Sequence, residues 1–339
     1  MIFEELLVQA REQRASDIHL VCGELPTFRV NGKLVRIGEK TVDKEYLSII
    51  LELILKERDR NIFYQERELD CSFEDIKGLR YRANFHWEKG NIAISIRVIE
   101  NHIKTLDELG LPKIIKELIK IKKGLILITG PSGSGKSTSL ASIIEELNRN
   151  KALNIITLED PIEYIFKSDK SLIRQREVGR DTYSFAQGLK SVLRQDPDVI
   201  MVGELRDRES ISAALTAAET GHLVLGTLHT NGATETISRI IDVFSSGEQN
   251  EIRLQLATTL KGIVSQRLIM TKENKRRGVY EILLSTPAVT NLILNNKLNQ
   301  IESVIESNKK MGMILMRNAM EELYSQGIIS LEEYRENLR

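Results

Sequence analysis

LILITGPSGSGKST, residues 125 to 138, decides the fold. LILIT reads as a buried strand, and Gly130 to Thr138 satisfies G-x-x-x-x-G-K-[ST] just before a helical stretch opening at Lys136. Strand, glycine-rich turn and helix in that order form a phosphate-binding loop. Gly130, Gly133 and Gly135 let the backbone N–H groups of the turn, those of Ser132 and Ser134 among them, point inward at phosphate oxygens. The helix N-terminus adds positive potential and Lys136 bridges the outer phosphates. Ser137 offers its hydroxyl to Mg2+, and Thr138 completes the motif. The expected ligands are ATP and Mg2+.

Working outward, strands alternate with helices: NIITLE, a helix in SFAQGLKSVLRQ, VIMVG, a helix in ESISAALTAAE, then HLVLGTLH. Near-continuous apolar strands in such an alternation argue for a parallel sheet covered on both faces. Ligands on these sheets bind beyond the C-terminal ends of the strands. ITLEDPIEYI, residues 156 to 165, puts Glu159, Asp160 and Glu163 there. One of the three can take a proton from an attacking water, or all can form a solvated acidic loop. DPDVIMVGELR, residues 196 to 206, ends its strand in Gly203 and Glu204. Most nucleotide hydrolases with this loop carry an aspartate there for the magnesium shell. Either hydrolysis has been lost or the acidic roles are divided differently. GHLVLGTLHTN, residues 221 to 231, sets His222 near the start of a strand and His229 at its end. His229 lies on the ligand side, as a phosphate contact or as a structural imidazole.

The first hundred or so residues read as α+β. Ile2, Phe3, Leu6, Leu7 and Ala10 fall at helical spacing, and DIHLV is a short strand. TFRVNGKLVRI is a hairpin turning at Asn31-Gly32, and LRYRANFHW and NIAISIRVI join at Lys89-Gly90. YLSIILELILKER predicts a helix with Tyr46, Ile49, Ile50, Leu53 and Ile54 on one face. Arg80, Arg82 and Arg97 lie on β-segments, and arginine suits the charge of a transferring phosphoryl group. NHIKTLDELGLP reads as a linker, and the tail from Pro287 as mostly helical.

The totals exclude several classes. Lys+Arg and Asp+Glu each number 48, so nothing supports a general nucleic-acid or anionic-membrane binder. No apolar stretch is long enough to span a membrane, and MIFEELLVQAREQRASD lacks the basic opening of a signal peptide. Cys22 and Cys71 stand alone, with neither disulfide framework nor zinc spacing, as expected of reduced thiols in the cytoplasm.

GPSGSGKST, ITLEDPIEYI, RQDPDVIMVGELRD and TAAETGHLVLGTLHTN, in that order, resemble the secretion and type IV pilus motor ATPases. The likeness continues through ASDIHL, KTLDELGLP, SRIIDVF and the tail segments MGM and LYSQGIIS, and is closest to the retraction ATPases of twitching motility. It implies an α/β chain: a PAS-like α+β domain over 1–100, a linker over 101–111, a RecA-like P-loop ATPase core over 112–285 and a helical region over 286–339. It also implies a cytoplasmic homohexameric ring, recruited to the membrane through an inner-membrane pilus platform protein and binding no nucleic acid. By resemblance Glu204 acts on the magnesium shell and Glu163 activates water. His222 and His229 form a histidine box, with His229 near the γ-phosphate, and Arg82 and Arg97 are arginine fingers. The unusual strand end then reflects divided roles, not lost hydrolysis.

Two features imply retraction: the chain begins directly with the PAS-like domain, and the tetracysteine zinc module of extension and secretion motors is missing. Against it, AVTNLILN, residues 288 to 295, stands where retraction motors carry AIRNLIRE, so Thr290, Leu294 and Asn295 replace two arginines and a glutamate. An assembly or secretion motor with the same chemistry is the alternative. A nucleic-acid motor is a further one, disfavoured by balanced charge and an aromatic content of 5%.

Overall fold

The computed structural model describes residues 2–99 and 103–337. The chain divides into two compact units, one of Met1–His102 with Glu163–Ile165, the other of Ile103–Ile162 with Phe166–Arg339. Of the stretch read as a linker, Asn101 and His102 lie outside the described residues. Ile103 and Leu106, further along it, are buried in the second unit.

The first unit runs α1 (Phe3–Glu12), β1 (Ala15–Val21), β2 (Thr27–Val30), β3 (Lys33–Arg36), α2 (Lys44–Ile54), α3 (Glu57–Glu66), β4 (Glu68–Glu74), β5 (Arg80–Glu88) and β6 (Asn91–Val98). Its antiparallel sheet has the order β3-β2-β1-β6-β5-β4. Both expected hairpins form at turns with positive φ: 50° and 80° at Asn31-Gly32, 50° and 75° at Lys89-Gly90. Leu6 and Leu7 of α1, Leu47 and Ile50 of α2 and Phe63 of α3 share one core with Ile18, Phe28, Phe85 and Ile96 of the sheet.

The expected face of α2 is wrong. Leu47, Ile50 and Leu51 are the buried stripe, whereas Ile49 and Leu53 are 56% and 62% exposed. The segment carries more apolar residues than one face can hold, so two i, i+3, i+4 stripes compete and periodicity cannot choose between them. It also breaks after Ile54, and α3 is a separate helix.

The second unit continues with α4 (Ile114–Leu118), β7 (Gly124–Thr129), α5 (Lys136–Asn150), β8 (Asn154–Glu159), β9 (Leu172–Glu177), α6 (Phe185–Val192), β10 (Val199–Val202), α7 (Arg208–Glu219), β11 (Leu223–Leu228), α8 (Ala233–Asp242) and α9 (Gln249–Thr259). After these come β12 (Leu260–Met270), β13 (Arg276–Leu284), α10 (Pro287–Leu294), α11 (Ile301–Ser307), α12 (Met316–Ser325) and α13 (Leu331–Asn337). The sheet order is β13-β12-β7-β11-β10-β8-β9. All neighbours pair in parallel except β13, which runs antiparallel on β12. Every residue of β7, β10 and β11 is buried, which explains their unbroken apolar runs. These central strands all end at the edge where the phosphate-binding loop begins.

Tyr81 closes the first unit's polar interior. It accepts from Arg11 Nε at 2.7 Å and donates to Asp75 Oδ2 at 3.2 Å. Burial, partly opposed by Arg11, pushes its phenol up to about 12. Because the folded value lies above the ordinary 10.0, its contribution is intact below pH 10 and fades as pH rises towards 12. Tyr81→Phe should lower stability by about 1–3 kcal/mol and remove part of that alkaline loss, as read from urea unfolding at neutral and alkaline pH.

Candidate nucleotide site

β7 delivers the chain to Gly130, where φ is +142° and a Cβ would stand 2.2 Å from the carbonyl oxygen of Gln266. Only glycine lets the loop lie this close to β12. Gln266, 2% exposed, donates Nε2 to the carbonyl of Ser134 at 2.6 Å and so fixes the loop from behind. Lys136 Nζ donates to the carbonyls of Gly130 (2.7 Å) and Pro131 (3.0 Å), holding its ammonium in the mouth of the loop. Ser132, Gly133 and Ser137 are exposed, whereas Ser134 is buried.

Two neighbouring strand ends complete the group. After β10, the Thr227 hydroxyl of β11 donates to the carbonyl of Gly203, and Glu204 follows. The carboxylate of Glu204 accepts from Arg206 Nε at 2.6 Å, and its other oxygen lies 3.5 Å from His229 Nε2. His229 Nδ1 lies 3.4 Å from Ser132 Oγ and 3.5 Å from Lys136 Nζ. The ring thus has Nδ1 on the loop side and Nε2 on the Glu204 side. The imidazole therefore links the loop to the acid at the end of β10.

The other candidates make contacts of their own. Glu159, buried at the end of β8, accepts from Thr157 Oγ1 at 2.6 Å and Gln175 Nε2 at 3.1 Å, which marks it as a brace between strands. Asp160 is exposed, and Glu163 is exposed in the short segment belonging to the first unit. His222 does not join His229: it stands at the opposite end of β11 from the loop, its Nδ1 2.9 Å from the Ala217 carbonyl. Arg82 and Arg97 are direct cross-strand partners in the first unit's sheet. Like charges so placed repel, and each is flanked by an acid, Arg97 by Asp17 at 3.0 Å and Arg82 by Asp70 at 3.7 Å.

Beside the loop opens a cavity of about 730 Å³ lined by Gly135, Thr138, Gln266, Leu268 and Tyr280 and by part of 104–110. A space of this size, half apolar and adjoining a phosphate loop, suits a base and ribose. Burial pushes the Tyr280 phenol up to about 12, so it stays neutral beside a ligand. Gln266, Tyr280 and Arg206 escape the sequence motifs. Arg206 could have been found, two positions beyond Glu204 in GELRD; the other two lie on strands with no clear pattern. Among the described residues no group of three or more His, Cys, Asp or Glu could hold a metal.

The family model for the type II/IV secretion system protein matches residues 1–336. The chain is 42% identical over 340 residues to the type IV pilus retraction ATPase PilT of Pseudomonas aeruginosa, covering 100% of this chain and 98% of that one. It is 44% identical over 312 residues to a twitching motility protein of Neisseria gonorrhoeae, covering 91% and 83%. The crystal structure of a pilus retraction motor PilT with bound ADP superposes with a TM-score of 0.94 at 42% identity, covering 99% and 96%.

Gln266→Ala should loosen the loop while leaving its motif intact. ADP affinity, read by calorimetric titration, should fall by roughly tenfold, the equivalent of one buried hydrogen bond.

Proposed function

We propose that this chain, which belongs to the type II/IV secretion system protein family, is an ATPase motor that powers retraction of a type IV pilus. The observation that carries the ATPase reading is the placement of His229 between the phosphate loop and Glu204. Retraction is supported by the end-to-end likeness to a relative described as a retraction ATPase. In this reading the first unit is of PAS type, the second of RecA type, and the chain works as a homohexameric ring. The functional segments 1–100, 101–111, 112–285 and 286–339 are proposed with two adjustments, the stretch from Ile103 packing in the second unit and Glu163–Ile165 in the first. The ring would stand in the cytoplasm at a platform protein of the inner membrane. No described helix is long and apolar enough to cross a membrane itself.

Loop amides and Lys136 bind the outer phosphates. Ser137, exposed on the first turn of α5, would hold Mg2+, with Glu204 acting on its shell. When bound, the ion neutralises charge on the β- and γ-oxygens. His229 presents its Nδ1 side to the loop, where it can answer the γ-phosphate, while its Nε2 side reports to Glu204. Glu163 is assigned as the base: its carboxylate is exposed, whereas that of Glu159 is engaged by Thr157 and Gln175. Arg82 and Arg97 are assigned to transition-state charge. Glu163, Arg82 and Arg97 all belong to the first unit, so turnover depends on that unit as well as on the loop. His222 is assigned to holding the start of β11, not to the phosphates.

One observation favours an assembly motor as the second reading. Leu294 at the end of α10 and Asn295 just beyond it, two of the departures in AVTNLILN, are exposed and Thr290 is half-buried, while Val289, Leu292 and Ile293 face the core. The change alters a surface of the tail and leaves its packing alone.

Glu163→Gln and Glu204→Gln should each lower kcat by about 10² or more while ADP still binds within a few-fold of the parent. Chelation of Mg2+ should stop turnover in the parent. Near-normal hydrolysis by Glu163→Gln would remove it from the role of base. Deleting the gene from its piliated host should raise the number of surface pili and abolish surface motility; bald cells would establish the assembly reading instead.

A further inference from the structure

Among the helices of the second unit that begin without a side-chain cap, α8 and α12 share one acceptor. The residues preceding α8 and α12 are Gly232 and Leu315, and neither supplies a side-chain hydrogen bond. A helix leaves its first N–H groups without intrahelical partners, so buried starts need an acceptor from elsewhere. One residue serves both. Glu281, buried in the middle of β13, accepts from Ala233 N at 2.7 Å through one carboxylate oxygen and from Met316 N at 3.1 Å through the other. Ala233 and Met316 are the first residues of α8 and α12. A carboxylate at two helix N-termini is also favoured by both macrodipoles.

What these helices attach to gives the clamp its meaning. α8 begins four residues after His229, and its first turn is tied to the end of β7. Thr236 Oγ1 lies 2.7 Å from Thr230 Oγ1 and 3.5 Å from Thr129 Oγ1, and Thr129 pairs with Ser265 at 2.6 Å. A shift of His229 against a phosphate is therefore carried into the start of α8. At the other end, α12 belongs to the tail and is anchored to the same strand by the paired amides and carbonyls of Ile282 and Ile314. Gly232 leaves the approach open, since a Cβ there would come within 3.1 Å of the Glu281 carboxylate.

We infer that Glu281 is a positioning residue that couples the phosphate-facing end of β11 to the tail helix α12, so that nucleotide state is read out in the tail. The inference rests on nucleotide binding at the loop and not on the direction of pilus movement.

The test is hydrogen exchange on the full assembled chain with and without ADP, together with steady-state ATP hydrolysis. In the parent, ADP should slow exchange in the loop at 130–138 and change it at the first amides of α12, 316–320. Glu281→Gln replaces one acceptor oxygen by an NH2 that cannot accept from an amide. Loop protection should persist, the response at 316–320 should vanish, and kcat should fall roughly fivefold or more with KM within about twofold. Met316→Pro is the second variant. Proline is well tolerated at the first helical position, Leu315 already has the extended backbone (φ −81°, ψ 149°) that a following proline requires, and only the α12 arm of the clamp is lost. Residue 316 then has no amide to exchange, and the loss should be reproduced at 317–320 with the loop response intact. The coupling is overturned if ADP never affects 316–320 in the parent, or if the response survives in both variants. It is equally overturned if kcat and KM are both unchanged in Glu281→Gln. Absence of ADP protection at 130–138 in the parent would instead defeat the nucleotide reading itself.

Discussion

A phosphate-binding loop must hold its amides aimed inward, against the tendency of a glycine-rich turn to collapse. In this chain the aim is set by β12. Gln266 pins the Ser134 carbonyl at 2.6 Å, and the backbone of the same residue approaches Gly130 so closely that no side chain fits there. The loop is thus clamped between a glycine and an amide, and Lys136 fills its mouth by donating to the loop's own carbonyls. Everything else at the site is arranged around that fixed rim.

The parallel sheet brings the remaining chemistry to one edge. β7, β10 and β11 are neighbours with matched register, so the loop, Glu204 and His229 emerge side by side although they are far apart in sequence. The strand-end acid is a glutamate after a glycine, and its carboxylate is shared between Arg206 and His229. An acid so held sits between the His229 imidazole and an exposed arginine. The clamp at Glu281 extends the same logic outward, because β13 carries a buried carboxylate whose partners are helix starts and not side chains.

Much of this was legible in the sequence because it depends on local rules. The loop motif, the apolar runs of β7, β8, β10 and β11, and the two hairpin turns each carry their own signal. β9, with LIRQRE, is polar enough to hide at the sheet edge. β12, with LKGIVSQRLIM, is interrupted by Gly262, Ser265 and Gln266, the last of which serves the loop and so breaks the pattern that would reveal it. β13 carries Glu281 in mid-strand for the same kind of reason. Functional polar residues on buried strands erase the strand signal. The face of α2 failed differently, since Ile49 and Leu53 offered a second stripe as apolar as the one that packs. That Arg82 and Arg97 stand directly opposite one another emerged only once β5 and β6 were placed in register.

ATP binding at this loop and pilus shortening are joined most directly by watching labelled pili on living cells whose only copy of the gene carries Lys136→Ala. If the chain is the motor that withdraws the fibre, pili will extend and then persist without shortening. Shortening at the parental rate would contradict the account, because a chain that cannot grip the outer phosphates would have no means of driving it.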